Sequence, residues 1–498
     1  MSLNLGRWAR AAAAVLFALA PAFAQTAPDQ DAADPGLRGG DAPAALPSDN
    51  PADALPDLAP TPPRPTPTPK ARPARKRGDL PPLQPYRRAD RLGLKGGADL
   101  ADPQPPPPAT IAAIPTPPAR RTIKREDKPF DPVGLYVGDL KLTPYIEEDG
   151  GYASNPFGAA NAAKGSALST TEIGVGLQSN WSRNELTGQA KLGYNEYFQT
   201  PGASAPYGSG QVDYRYDASR DLSFDTEGRF NVASETNSQL GLGGTSSDTL
   251  TMVSTYGATA GAINKFGDLS IGLHGTVDRV QYQGGTLGTD DYTDYGLKLR
   301  AGYRLSEAVQ PFAEIDGDVR DYDSTVDAYG YDRASDGVAG KAGATLNISE
   351  MLKGEASLGY GVREYRDPKL PNVGAPLVDW SLIWSVTPLT TITLRTATLL
   401  QDAVVPGASA DISRAYTINV DHALTERVKL GFNAGLETDS YVGDNQHNTT
   451  YTLGAIAEYH LSRDVLLKAS AQHLQLVSNL PGSSYTSDTV LLGVRLQR

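Results

Sequence analysis

The chain has 498 residues, 20% of them charged, with a formal net charge of −12 at pH 7 and no cysteine. Without cysteine, neither disulfides nor cysteine-ligated metals hold the fold together. The acidic balance also argues against general nucleic-acid binding.

A secretory signal peptide is predicted at residues 1–24. Arg7 and Arg10 supply the positive charge at its start, and residues 11–20 form an apolar stretch that is too short to span a bilayer. Small residues end the segment, so we predict cleavage between Ala24 and Gln25. The protein is therefore expected to be exported.

Residues 25–134 are predicted to form a disordered periplasmic spacer. Their proline-rich runs, such as 61–70 and 105–108, exclude helix and sheet interiors and favour extended polyproline geometry. Few bulky apolar residues are available to build a core. The basic cluster within residues 61–91 is interpreted as a solvated charge run, with binding to the cell wall or to a periplasmic partner as the alternative.

From residue 135 to residue 498, alternating apolar and polar runs are joined in turn by short polar turns and longer Gly-, Asn-, Asp- and Ser-rich loops. The short turns fall at residues 182–184, 218–221, 266–268, 305–307, 348–350, 386–388, 424–426 and 461–464. With a strand before the first hairpin and one after the last, the pattern predicts about eighteen strands. Sixteen is the alternative, because Gly and Ala blur the alternation in residues 249–263. An even number places both ends of the barrel in the periplasm.

The alternation of side chains along each strand indicates which face contacts lipid and which faces the interior. In residues 294–304, Tyr295, Leu297 and Leu299 share one face, whereas Lys298 and Arg300 share the other. Charges that face lipid cost several kcal/mol near the bilayer midplane, so the charged face is expected inside. The predicted fold class is all-β, a transmembrane antiparallel up-and-down β-barrel. A soluble multi-domain β protein is the alternative.

Charged residues of both signs are the candidates for the pore lining. The candidates are Lys191, Arg215, Arg229, Lys298, Arg300, Arg304, Glu314, Asp316, Asp318, Arg320, Arg363 and Arg395, together with further carboxylates such as Asp278, Glu355 and Glu437. Mixed charge of this kind predicts a weak ion preference. The alternative is that these side chains simply pair across strands and fill the interior.

A short motif near the first hairpin points to a known family. Gly151-Tyr152 is followed by Asn155-Pro156-Phe157, and this element resembles the putative β-barrel porin-2 family of bacterial outer membranes. The resemblance covers about residue 135 to the end, and it implies an outer-membrane barrel without catalytic residues. One departure is the last residues, Gln497-Arg498, where such barrels usually end in an aromatic residue.

No enzyme or cofactor chemistry is predicted. None of the five histidines has metal-ligand spacing, and no nucleophile or phosphate-binding motif is present. We therefore expect no catalytic residue, no metal site and no cofactor.

The leading functional prediction is a porin-like channel in the bacterial outer membrane, through which small hydrophilic solutes diffuse passively. A barrel of sixteen or eighteen strands is wide enough for an aqueous lumen. The alternative is a structural or polysaccharide-export-associated barrel, tethered through its Pro/Arg-rich arm to the cell wall or to a periplasmic partner. Outer-membrane lipid and small polar solutes are the expected partners, and the sequence pattern fixes no oligomeric state.

Overall fold

The computed structural model describes residues 130–243, 250–284 and 287–498. The signal peptide and most of the predicted spacer lie outside the described residues.

Two short 3-10 turns, Pro201–Ala203 and Leu287–Thr289, are present, and no helix in the described ranges is long and apolar enough to cross a membrane. The strands are β1 Leu135–Val137, β2 Leu140–Ala153, β3 Ser166–Ser179, β4 Glu185–Tyr197, β5 Ala205–Asp217, β6 Leu222–Glu235, β7 Thr251–Phe266, β8 Leu269–Gln283, β9 Tyr292–Tyr303, β10 Val309–Tyr322, β11 Ser335–Ser349, β12 Leu352–Tyr365, β13 Val373–Thr387, β14 Thr390–Asp402, β15 Ala410–Ala423, β16 Val428–Val442, β17 His447–His460, β18 Val465–Ser478 and β19 Tyr485–Gln497.

Strands β2 to β19 form a closed antiparallel barrel of eighteen strands. Each strand pairs with the next along the chain, and β19 returns to β2 in a register that runs from Thr489–Ala153 to Gln497–Tyr145. Closure leaves no sheet edge exposed along this seam. The predicted fold class and the count of eighteen strands are confirmed, and the alternative of sixteen is wrong.

The Gly- and Ala-rich segment that blurred the sequence pattern is the continuous strand β7. A Cβ atom at Gly261 would collide with the ring of His274 on β8, and one at Gly257 would collide with Asp278. The small residues therefore make room for large inward side chains on the neighbouring strand. This close approach explains why the alternation weakens where the strand continues.

The eight predicted short turns join β3 to β4, β5 to β6, and so on to β17 and β18, and all lie at one end of the barrel. Hydroxyl groups close several of them. Ser306 Oγ accepts a hydrogen bond from Val309 N at 3.1 Å, and Thr425 Oγ1 accepts one from Val428 N at 3.0 Å. Local side-chain chemistry thus sets these turns. The nine longer loops, named L1 to L9 in chain order, lie at the other end.

The two faces of the barrel wall differ in chemistry. The outer face exposes large apolar side chains, among them Leu299, Ile315 and Trp380. The inner face carries buried charged side chains such as Arg300 and Glu314. The split follows the alternation of each strand, since successive residues point to opposite faces.

A nineteenth strand, β1, lies outside the ring. It pairs with Leu140–Leu142 of β2, on the stretch of that edge that β19 does not reach. Just before it, the Phe130 ring lies 4.7 Å from the Arg427 guanidinium and 6.4 Å from the His460 ring. The chain preceding the barrel therefore meets it at the short-turn end.

Candidate functional site: the lumen wall and its mouth

One ladder of alternating charge crosses the inner face of β9, β10 and β12. The guanidinium of Arg300 contacts Glu355 at 2.7 Å and Glu314 at 3.5 Å, and Lys298 contacts Glu314 at 3.4 Å and Asp316 at 3.6 Å. Arg300 is only 2% exposed. Because each cation has two carboxylates in reach, this part of the wall is an ion-pair network rather than a row of isolated charges.

Most of the other predicted pore-lining cations also lie near carboxylates. Arg229 contacts Asp278 at 2.6 Å, Arg320 contacts Asp294 at 3.1 Å, Arg363 pairs with Asp318, Lys191 contacts Glu172 at 3.7 Å and Arg215 contacts Asp217 at 2.9 Å. Arg395 lies on β14 opposite Ser381 and Thr417. Arg304 follows the end of β9 and pairs with Asp268 of a short turn at 3.0 Å, half exposed on the rim.

A further network lies at the seam where the barrel closes. Glu147 of β2 contacts Lys468 Nζ of β18 at 2.5 Å and also pairs with Arg495 of β19. All three residues are buried. None of the three is among the pore-lining candidates predicted from the sequence, and their pairing has no local sequence signal, because 321 residues separate Glu147 from Lys468.

The family motif lies at the same seam and holds the backbone there. The Asn155 side chain donates to the carbonyl oxygens of Ala159 at 2.9 Å and Thr486 at 3.0 Å, which ties L1 to β19. A Cβ at Gly151 would collide with the Val490 carbonyl of β19. Tyr152 points outward, half exposed, and Pro156 and Phe157 lie in L1 (154–165). The motif residues therefore shape L1 and stabilise the closure of the barrel at this seam.

At the long-loop end lies L3 (236–250), of which residues 236–243 and 250 are described. Its described residues 236–243 cross the interior to the far wall. The Asn448 side chain of β17 donates to the Ser238 carbonyl oxygen at 3.3 Å, and Thr236 Oγ1 lies 3.4 Å from the Tyr485 hydroxyl of β19. Strands β6 and β17 are far apart on the wall. In the shorter direction around the ring they are separated by six strands: β5, β4, β3, β2, β19 and β18. L3 therefore spans the mouth of the lumen.

L7 (403–409) meets L3 from the other side. Val404 packs with Leu240 of L3, with Leu287 of L4 (284–291), and with Val253 and Tyr282 of the β7–β8 wall. A second apolar cluster joins Ala403, Val405 and Ala408 of L7 to Tyr441 of β16. The two loops thus form an apolar bridge inside a wall that is otherwise polar.

Arg333 of L5 (323–334) holds L7 in place. Its guanidinium donates to the carbonyl oxygens of Ala403, Ala408 at 3.0 Å and Val405 at 3.1 Å, and it contacts Asp327 at 2.7 Å. Burial lowers the pKa of Arg333, but the carboxylates around it, led by Asp402, outweigh burial and raise it above the ordinary value. The bridge is therefore tied to the rim by one permanently charged side chain.

Asp290 of L4 lies 3.7 Å from the same guanidinium. Burial, with the nearby charge of Asp402 as the next contribution, raises the pKa of Asp290 to about 8. This carboxyl is therefore largely protonated at neutral pH, and its charge changes near physiological pH.

Four carboxyl groups lie beside the bridge without an ion-pair partner among the described residues; we name them the acidic mouth group. They are Glu235 at the end of β6, Asp411 on β15, and Glu437 and Asp439 on β16. Glu437 accepts a hydrogen bond from Ser413 at 2.9 Å, and Asp411 accepts one from Ser440 N at 2.9 Å. Among the described residues, no Lys or Arg forms an ion pair with any of the four. Of these four residues, only Glu437 is among the pore-lining candidates that the sequence predicts.

Comparison with known proteins gives one family match. Residues 128–498 match the family described as "Putative beta-barrel porin 2", which is well over half of the chain. No significant match is found among curated proteins.

Comparison with solved structures gives several distant matches. OccAB3 of Acinetobacter baumannii is 9% identical, with 73% of this chain and 100% of that chain covered and a TM-score of 0.34. The outer membrane protein opdK of Pseudomonas aeruginosa is 8% identical, with the same coverages and a TM-score of 0.39. A BenF-like porin from Pseudomonas fluorescens Pf-5 is 9% identical, again over 73% and 100% of the two chains, with a TM-score of 0.40. Likenesses this distant carry no argument about function.

Proposed function

Because the chain belongs to the putative beta-barrel porin 2 family, we propose that it is an outer-membrane channel through which small hydrophilic solutes diffuse passively. The observation that carries the proposal is the closed ring of eighteen strands with charged residues inside and apolar residues outside. A ring of this size is too wide for wall side chains alone to fill, so its interior holds water.

In this proposal the narrowest part of the path lies at the bridge of L3 and L7. The wall below it is lined by paired charges that offer polar contacts without a large net field. At the bridge, apolar side chains such as Leu240 and Val404 approach from opposite sides. Solute size is therefore limited by the loops and not by the strand ring.

The orientation proposed follows from the two ends of the barrel. In outer-membrane barrels, the short turns usually lie in the periplasm and the long loops lie outside the cell. The β1 strand and Phe130 lie at the short-turn end, which supports a periplasmic location for the chain that precedes them. The candidate pore-lining residues remain proposals within this arrangement.

Planar-bilayer recording of the purified full-length protein tests the proposal. Discrete, voltage-independent conductance steps in symmetric KCl are expected, with a shift in electrophoretic mobility on heating as the control for folding. Folded protein that inserts into the bilayer without producing steps would contradict the channel function.

A second candidate is a tethered barrel without transport, favoured by the anchoring of the chain at the periplasmic rim. Phe130 stacks on Arg427, and β1 extends the edge of β2, so the segment before residue 130 starts from a fixed point. Co-sedimentation of the full-length protein with isolated peptidoglycan tests this function. A protein that conducts but does not co-sediment supports the channel alone.

A further inference from the structure

We propose that residues 397–415, which comprise the upper part of β14, L7 and the start of β15, form a gating hairpin. In its inner position the hairpin lies within the lumen mouth and narrows it. In its wall position it returns to the sheet beside β13 and withdraws L7 from the lumen. This inference rests on the proposed channel function and names the regulation of its loop bridge.

The first support is an unfilled strand edge on β13. Within the described residues, the ladder between β13 and β14 rises from the short turn to the pair Trp380–Thr396 and stops there. Above it, residues 373–379 of β13 pair with β12 alone, and residues 397–402 of β14 pair with β15 alone. Continuing the existing register would set each of these six residues of β14 opposite one residue of β13. The wall therefore keeps a slot that matches this part of β14 in length.

The second support is the position of Leu400. Thr396 lies opposite the outward-facing Trp380, so the alternation along β14 would place Leu400 outward as well. Instead, the Cδ1 atom of Leu400 lies 3.1 Å from the position of a Cβ atom added to Gly361. Gly361 shares the inner face of β12 with Arg363, because the two are two residues apart on one strand. The upper part of β14 has therefore left the wall and lies against its inner face.

The third support is the set of contacts that holds the hairpin inside. Arg333 of L5 donates to three carbonyl oxygens of L7, and Val404 packs against Leu240 of L3. Asp402, at the end of β14, interacts electrostatically with Tyr322 of β10, although β11, β12 and β13 lie between these two strands in the ring. A hairpin that returned to the wall would lose these contacts.

The hairpin also has a bending point on its β15 side. In the described part of the chain, the ladder between β15 and β16 is interrupted between Asp411 and Arg414. By contrast, the ladder between β14 and β15 is continuous over all 13 residues of β14. The two strands of the hairpin therefore move as one unit, and the interruption allows that unit to bend relative to β16.

Each position satisfies groups that the other leaves unpaired. In the wall position, backbone groups of β14 would pair with the free edge of β13, and unpaired backbone polar groups are costly beside lipid. In the inner position, the hydrogen bonds from Arg333 and the apolar clusters of L7 compensate for the missing ladder. Removing the contacts of one position should therefore shift the hairpin toward the other.

Thiol crosslinking of the full-length protein distinguishes the two positions. The chain has no cysteine, so Leu400→Cys can be combined with Gly361→Cys to detect the inner position or with Pro376→Cys to detect the wall position. Pro376 is exposed on the outer face, and the continued register sets it opposite Leu400. Both pairs should crosslink with a short, membrane-permeable bifunctional reagent. Arg333→Ala should shift the yield from the first pair to the second.

A third pair on the same two strands is the matched control. Leu382 and Leu394 already lie opposite each other in the ladder, so Leu382→Cys/Leu394→Cys should crosslink with or without Arg333→Ala and leave the single-channel current unaltered. Protein crosslinked in the wall position should conduct about twofold more than protein crosslinked in the inner position. A shift in electrophoretic mobility on heating confirms the folding of each variant.

The outcomes separate the two proposals. If the Pro376 pair fails to crosslink in folded protein, even with Arg333→Ala, the hairpin does not move and the inference is overturned. Failure of the Gly361 pair overturns it as well, because the inner position would then be absent. Equal conductance of the two crosslinked forms overturns the gating role. Folded protein without conductance steps overturns the channel function, whereas the yields of the two crosslinks still decide whether the hairpin moves.

Discussion

The lumen wall and the lumen mouth use buried charge in opposite ways. On β9–β12, Lys298 and Arg300 are matched by carboxylates on neighbouring strands. At the mouth, Glu235 and Asp439 come from opposite walls and have no basic partner. Removing one partner of a buried pair leaves an uncompensated buried charge, whereas replacing an unpaired carboxyl leaves no such charge behind. The contrast separates carboxylates that depend on a neighbouring cation from carboxyls that do not.

Removing a wall cation should produce the largest change in stability. Arg300→Ala removes the ion-pair partner of Glu355 and leaves the buried Glu314 with Lys298 as its remaining ion-pair partner. A cost of about 3–5 kcal/mol in the free energy of unfolding is expected. Urea unfolding in lipid vesicles, followed by tryptophan fluorescence, measures it. The matched mouth variant Glu437→Gln should change stability little or raise it. Equal losses in the two variants would remove the distinction between wall and mouth.

Releasing the bridge should change conductance more than stability. Arg333→Ala removes three hydrogen bonds from a charged donor to L7, each worth about 1.5–3 kcal/mol. L7 is then free to leave the lumen, so single-channel conductance is expected to rise about twofold. Arg333→Lys is the control, since lysine keeps the charge but not the forked geometry, and it should fall in between. Unchanged conductance in Arg333→Ala would show that L7 does not narrow the path.

The loop bridge should weaken as pH rises from about 4 to about 8. The pKa of Asp290 is raised from 3.8 to about 8 in the folded loops, so in this interval the closed arrangement binds a proton that an open one does not. Stability of the closed loops therefore falls with rising pH and levels off above about 8. Current noise from loop opening should increase over that interval, and Asp290→Asn should make it independent of pH. A pH dependence that persists in Asp290→Asn would assign the effect to other carboxylates.

Substitutions at the rim of the barrel should have the smallest effect on stability and conductance. Arg304 and Asp268 pair at 3.0 Å, but both side chains are about half exposed, and exposed pairs contribute about 0–1 kcal/mol. Arg304→Ala should leave the unfolding midpoint within that range and the conductance unaltered. A loss as large as that of Arg300→Ala would mean that exposure does not govern the strength of these pairs.

The wall could be predicted from the sequence because its organisation is local. Each short turn fixes the register of two strands, so the alternation around Lys298 and Arg300 was enough to place both on the inner face. Glu437 was found in the same way. Glu147, Lys468 and Arg495 meet only because the ring closes, and Asp439 meets Glu235 only because L3 crosses the lumen. Neither contact follows from the alternation of side chains within a strand. The arrangement at the mouth therefore could not be predicted from the sequence.

Crosslinking tests most directly whether L3 crosses the lumen. Because the chain has no cysteine, the pair Ser238→Cys/Asn448→Cys, at positions in hydrogen-bond contact, introduces the only two thiols. A short bifunctional thiol reagent should join them in intact membranes, suppress the single-channel current, and give neither effect in the two single variants. Failure of the pair to crosslink in folded, conducting protein would contradict the account, since L3 would then not reach the far wall.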